Sequence, residues 1–259
     1  LVMNFDARGN RGGLLMFETS TRNYGLLQHY QAASSRPLSY SFLTGLYRKM
    51  PNGTDLTRFL DAGYRGLNFA VAEGVEHYHQ PTDTFDNMHR GTAYNFLQTV
   101  LEMAEYGGQT PLQDEGAQRN GVFFTLPFGQ LVLMTDIAAY TLLAVTLLAA
   151  LVWLIVHVRI GAVRVRDIAV GTGWLLGTMA AADLLGWGAS ALLTRLKLIG
   201  ESTNNDPAFV AIALVVGLGV LAAWTFRVRR QSLAAAVAGL LPVQWVLTIG
   251  TGVLFFEIS

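Results

Sequence analysis

Apolar and polar positions change their period near the middle of the chain, and the change marks two regions of different kind. Up to about residue 126 the apolar stretches are short and separated by polar turns. Residues 1–5 and 14–17 read as two strands joined through Gly12 and Gly13, and 66–71 and 121–126 as two more. Between them the pattern predicts helices. Asn23 starts one through about Ala33, Ser39 a second through Lys49, and a third covers 55–62 before Gly63 stops it. From 86 to 106, Met88, Tyr94, Phe96, Leu97, Val100, Leu101 and Ala104 recur at helical spacing and are closed by Gly107 and Gly108. Strands alternating with helices predict an α/β layer around a parallel or mixed sheet.

Beyond 126 the apolar runs lengthen, to about 131–156, 168–193, 207–226 and 233–256. Each is long enough to cross a hydrocarbon core of about 30 Å at about 1.5 Å per residue. The expected organisation is therefore an α/β region over 1–126 and an all-α transmembrane bundle of at least four helices over 127–259, with the lipid bilayer as a partner. Arg159, Arg164 and Arg166 fill the first connector and Arg227, Arg229 and Arg230 the third, against Arg195 and Lys197 in the second. Basic residues in short connectors stay cytoplasmic, so the α/β region is expected outside the cytoplasm, in a periplasm, lumen or extracellular space. Asp136 sits near the outer end of the first span. Asp183 lies near the middle of the second, where a charge is costly, so it is expected to face protein or water, as a packing residue or an ion relay. Gly173 and Gly177 suggest close helix packing, and Pro242 a kink.

Composition narrows the chemistry. Across 259 residues with 52% hydrophobic content and zero formal net charge there is no cysteine, so a metal here is held by His, Asp or Glu. No nucleic-acid partner is expected, and the oligomeric state is left open. The stretch Glu76-His77-Tyr78-His79-Gln80-Pro81-Thr82-Asp83-Thr84 joins two imidazoles, a φ-fixing proline and nearby carboxylates. That content suits a loop presenting a neutral nitrogen to a metal, and equally a surface loop that caps the next helix through Asp83 or Thr84.

Five segments, in this order, carry a family resemblance: Asn4-Phe5-Asp6-Ala7-Arg8-Gly9, Leu15-Met16-Phe17-Glu18-Thr19-Ser20, Asn52-Gly53-Thr54-Asp55, Gly66-Leu67-Asn68-Phe69-Ala70 and Tyr78-His79-Gln80-Pro81-Thr82-Asp83-Thr84. Together they resemble the carboxyl-terminal half of the zinc aminopeptidases, nearest to the membrane-anchored vacuolar and endoplasmic reticulum type. The resemblance implies a partial zinc-exopeptidase mixed sheet with flanking helices, a peptide substrate and two zinc ions in the complete site. It assigns Asp6 to one zinc and His79 to the other, with the Glu general base and the His-x-Asp and Glu-Glu ligands ahead of Leu1. By the same resemblance this stretch alone holds no catalytic residue and is inactive by itself. Asp83 and Glu76 are candidates to orient His79, and Glu18 and Asp55 to support the pocket or the fold; His77 and His89 are alternative ligands. Both ends are expected to be cut from a longer chain. Two other functions stay open: an inactive peptidase-like binding protein, as in the transferrin receptor, and a transporter-like protein using Asp183.

Overall fold

A computed structural model describes residues 1–111, 119–196, 207–229 and 232–256, with the side chains of 207–210 and 251–256 set aside. Lys197 and Arg230 of the expected connectors lie outside the described residues. The chain divides into two compact units, built on Leu1–Leu142 and Leu143–Gly250.

In the first unit, strands β1 (Val2–Ala7), β2 (Arg11–Thr19) and β3 (Gly66–Glu73) form a mixed sheet in the order β1-β3-β2. β1 runs parallel to β3, with Asp6 opposite Ala70, and β2 is antiparallel to it. A second pair, β4 (Gly121–Thr125) and β5 (Leu131–Thr135), is antiparallel. Single bridges from Met16 to Ser39 and from Tyr40 to Phe124 join the two sheets through the short segment 38–40. The strand directions follow. Taking β1 and β3 as rising, β2 and segment 38–40 descend, β4 rises and β5 descends.

Alternation along the strands separates two faces. Met3, Phe5, Leu67, Phe69 and Val71 point to one face, where α1 (Tyr24–Ala33) and α4 (Arg90–Gln109) close the core with Leu26, Leu27, Tyr30, Phe96 and Met103. Phe69 is fully buried, stacked on Phe5 at 4.7 Å between ring centroids and met edge-on by Tyr30 at 5.4 Å. Asn4, Asp6, Asn68 and Ala70 point the other way. Helix α3 (Asp55–Asp61) packs on β1 and β3, and α2 (Ser41–Tyr47) on β2 and β4.

Several boundaries differ from the sequence pattern for local reasons. Asn23 precedes α1, but its side chain accepts a hydrogen bond from Gly121 N–H at 2.7 Å instead of capping the helix. Ser39 is drawn into the sheet, its hydroxyl donating to the Met16 carbonyl at 2.7 Å, so α2 begins two residues later. Residues 85–87 form a 3₁₀ turn, and α4 starts at Arg90 with His89 as its N-cap. Neither Asp83 nor Thr84 caps that helix. Residues 131–135, expected to open the first membrane span, are β5. They are β-branched or apolar residues whose backbone groups pair with β4, and the helix begins only at Asp136.

Among the described residues four helices are long and apolar enough to cross a membrane: α5 (Asp136–Arg159), α6 (Val165–Arg195), α7 (Pro207–Val228) and α8 (Leu233–Phe256). The fold is therefore a mixed α/β sheet with flanking helices followed by a region of apolar helices. Within the second unit, α6 meets α8 where Gly171 faces Gly239: a Cβ added to Gly171 would lie 2.6 Å from Gly239 Cα. Thr172 hydroxyl donates to the Gly239 carbonyl at 2.9 Å across the same contact. The expected glycines of close packing, Gly173 and Gly177, have open space around them. Gly171→Val should destabilise the α6–α8 pair by about 1–3 kcal/mol, because backbone stands where the new methyls must go. Denaturant unfolding in detergent reads this, with Gly173→Val expected to stay near the unchanged protein.

Asp183 is exposed on α6, and among the described residues no hydrogen bond or ion pair reaches it.

Candidate active site

The parallel pairing of β1 with β3 brings two chain segments to one sheet edge. Asp6 lies at the carboxyl end of β1, opposite Ala70, and the histidine loop begins directly after β3. The turn leaving β1 is pinned to the same edge, Arg8 and Gly9 N–H both donating to the Val71 carbonyl at 3.1 and 2.8 Å. Only glycine fits at position 9, since a Cβ would come within 1.9 Å of the Glu73 carbonyl oxygen. Arg8 then extends over the Tyr78 ring, 5.4 Å from its centroid, and Tyr78 stacks on His79 at 3.9 Å. This chain of contacts connects the strand carrying Asp6 to the loop carrying His79. Ligands in α/β sheets collect at such carboxyl-terminal edges.

Both candidate ligands are exposed. One Asp6 carboxylate oxygen accepts the Ala7 N–H at 2.7 Å, and the His79 ring takes part in stacking with no hydrogen bond of its own among the described residues. His79 has φ 56°, a left-handed conformation that a histidine adopts at some cost. A carboxylate oxygen and an imidazole nitrogen suit zinc in kind. In number they do not suffice: among the described residues no three His, Asp or Glu side chains come close enough to hold a metal.

The other candidates occupy different places. Glu76 pairs with Arg11 at the start of β2. Asp83 is exposed on the loop, its backbone N–H donating to the Gln80 carbonyl at 2.9 Å. His77 is tied through Nδ1 to the Thr82 hydroxyl at 2.9 Å, and His89 precedes α4 instead of lying within it. Asp55 opens α3, where a carboxylate complements the exposed N–H groups of the first turn.

Glu18 is buried because of an irregularity in β2. Met16 stands opposite Phe69 and Glu18 opposite Asn68, so Phe17 is the extra residue of a bulge. Without it, Glu18 would point with Met16 into the apolar core; the bulge moves it to the opposite face. There Asn68, itself fully buried, donates to Glu18 Oε2 and to the Thr54 hydroxyl, both at 2.6 Å, and accepts from Asn4 at 2.8 Å. Tyr47 stands beside this row: burial raises its pKa, the Glu18 charge adds to that, the Thr54 hydrogen bond opposes it, and Asp6 contributes further. A polar row thus runs across the sheet on the face that carries Asp6. An asparagine inside the apolar run 66–71 was the sequence signal for this row, and it was passed over.

Burial holds the Glu18 pKa above its ordinary 4.5, against the opposing effects of the Asn68 hydrogen bond and the Arg48 charge. Between the unfolded and native values the folded state binds the extra proton, so this group's contribution to stability falls as pH rises through that window. Glu18→Gln should flatten that dependence, measured as the unfolding midpoint across a pH series.

Residues 1–104 match the model of peptidase family M28. The vacuolar membrane protease of Candida dubliniensis (strain CD36) is 21% identical over 148 residues, covering 52% of this chain and 15% of that relative. This chain therefore corresponds to a small part of the curated relative it matches, and no solved structure gives a significant match. Residues 1–104 are thus similar to peptidase family M28, and the sheet edge with Asp6 and the histidine loop falls within the matched residues.

Proposed function

We propose that the protein is a membrane-anchored, zinc-dependent exopeptidase of aminopeptidase type, with its peptidase region, extended through β5, outside the cytoplasm and a multi-pass anchor formed by the apolar helices from α5 onward. The observation that carries the reading is the meeting of Asp6 and the His79 loop at one edge of a mixed sheet within the matched residues. Asp6 and His79 are one ligand each to two zinc ions, and further donors, including the general-base carboxylate, come from residues other than those described. Bound there, zinc supplies Lewis acidity to the scissile carbonyl and to water. The chain's own part is to hold a carboxylate at a strand end and an imidazole on a loop braced by Arg8 and Tyr78. Basic first and third connectors support the orientation.

Zinc per chain, measured by elemental analysis on the full gene product, tests this. About two ions are expected, falling to about one or fewer in His79→Ala. A folded protein that takes up no zinc when metal is supplied would exclude the reading and favour an inactive binding relative.

A further inference from the structure

The opposite edge of the sheet holds a pocket of about 740 Å³ that the peptidase reading does not use. It opens where β2 ends and β3 begins: Ser20 N–H donates to the Gly66 carbonyl at 3.0 Å, and Arg22 N–H to the Asn120 side chain at 2.6 Å. Arg22, Arg48 and Arg65 are among its lining residues, with Glu18 and Asp61 as the acidic ones. Arg65 donates to the Arg22 carbonyl, and the Arg22 charge joins burial in lowering the Arg65 pKa, which shows two cations held close together. Arg48 is fixed by donation to the Thr19 carbonyl at 2.6 Å. Ser20, 8% exposed, also lines the pocket, and its hydroxyl has no hydrogen-bond partner among the described residues. A buried donor without a partner beside clustered guanidiniums matches the needs of a phosphate group.

The strand directions add what the pocket alone lacks. β5 descends to this same edge, where Thr135 pairs with Gly121 and Asp136 N–H donates to the Asn120 carbonyl at 3.0 Å. Asn120 therefore contacts both Arg22, a lining residue, and the first residue of α5, a helix apolar enough to enter a membrane. We propose that this pocket binds the phosphate of an anionic phospholipid headgroup at the point where the chain passes into α5. The assignment needs α5 to span a membrane and is independent of the peptidase reading.

The test uses the full chain in nanodiscs, with native mass spectrometry counting lipid retained after transfer to detergent. Phosphatidylglycerol should be retained about tenfold more than phosphatidylcholine. The preference should vanish in Arg22→Gln/Arg65→Gln and weaken several-fold in Ser20→Ala, which removes only a hydroxyl. If the double variant loses its cooperative unfolding transition, the Ser20→Ala comparison decides. Equal retention of the two lipids, or a preference that the folded variants leave unchanged, overturns the proposal. So does full displacement of phosphatidylglycerol by millimolar inorganic phosphate, which would identify a site for free phosphate.

Discussion

Replacing His79 with alanine should lower hydrolysis of an aminoacyl-amide substrate by the full gene product at least about a thousandfold, with the unfolding midpoint nearly unchanged. The separation of the two effects follows from the side chain's surroundings. It is exposed, makes no hydrogen bond among the described residues and stacks on the Tyr78 ring, so the fold loses little with it. The φ of 56° gives a second, sharper variant. His79→Gly removes the imidazole while relieving the left-handed backbone, so it should be at least as stable as the histidine protein and as inactive as the alanine variant. Kinetics and thermal unfolding on the same samples decide it. Activity kept by the glycine variant would mean that the position serves the loop's shape and not a metal.

Asn68→Leu should cost about 3 kcal/mol of stability, a large loss for one side chain. Asn68 is fully buried and serves Glu18, Thr54 and Asn4 at once. Leucine fills similar space but leaves the Glu18 carboxyl under α2 and α3 without its donor, and an unpaired buried acid is the expensive outcome. Adding Glu18→Gln should recover part of the loss, since the two changes act on one network and do not add. Denaturant unfolding of the four proteins in the cycle measures this. A single-variant loss below about 1 kcal/mol would show that water replaces the amide and that the row is not a structural unit.

Much of the α/β part was legible because its signals are local. The apolar run 66–71 became β3 and the spacing of Phe96, Val100 and Met103 belongs to α4, as alternation and helical period require. Ends were read less well, since they depend on distant partners. Ser39 resembles a helix start until Met16 takes its hydroxyl, and 131–135 resembles a span until β4 offers backbone groups to pair with. The same limit applied to the site. Asp6 and His79 were marked by resemblance and lie at one edge, but the Glu76–Arg11 pair and the bulge that turns Glu18 away from the core are long-range features. In the apolar helices, small residues are common, so the sequence marked Gly173 and Gly177 while the contact is made by Gly171.

The sheet also acts as a spacer. Asp6 belongs to the strand end farthest from the edge at which β5 hands over to α5, and the four residue steps from Gly66 to Ala70 separate the two levels. At about 3.3 Å per residue this is roughly 13 Å along the strands. A peptide free in solution meets no restriction from that height. A polypeptide tethered at the level where α5 begins would need about four extended residues before its end came level with Asp6, so the proposed exopeptidase would meet a minimum length in any tethered tail.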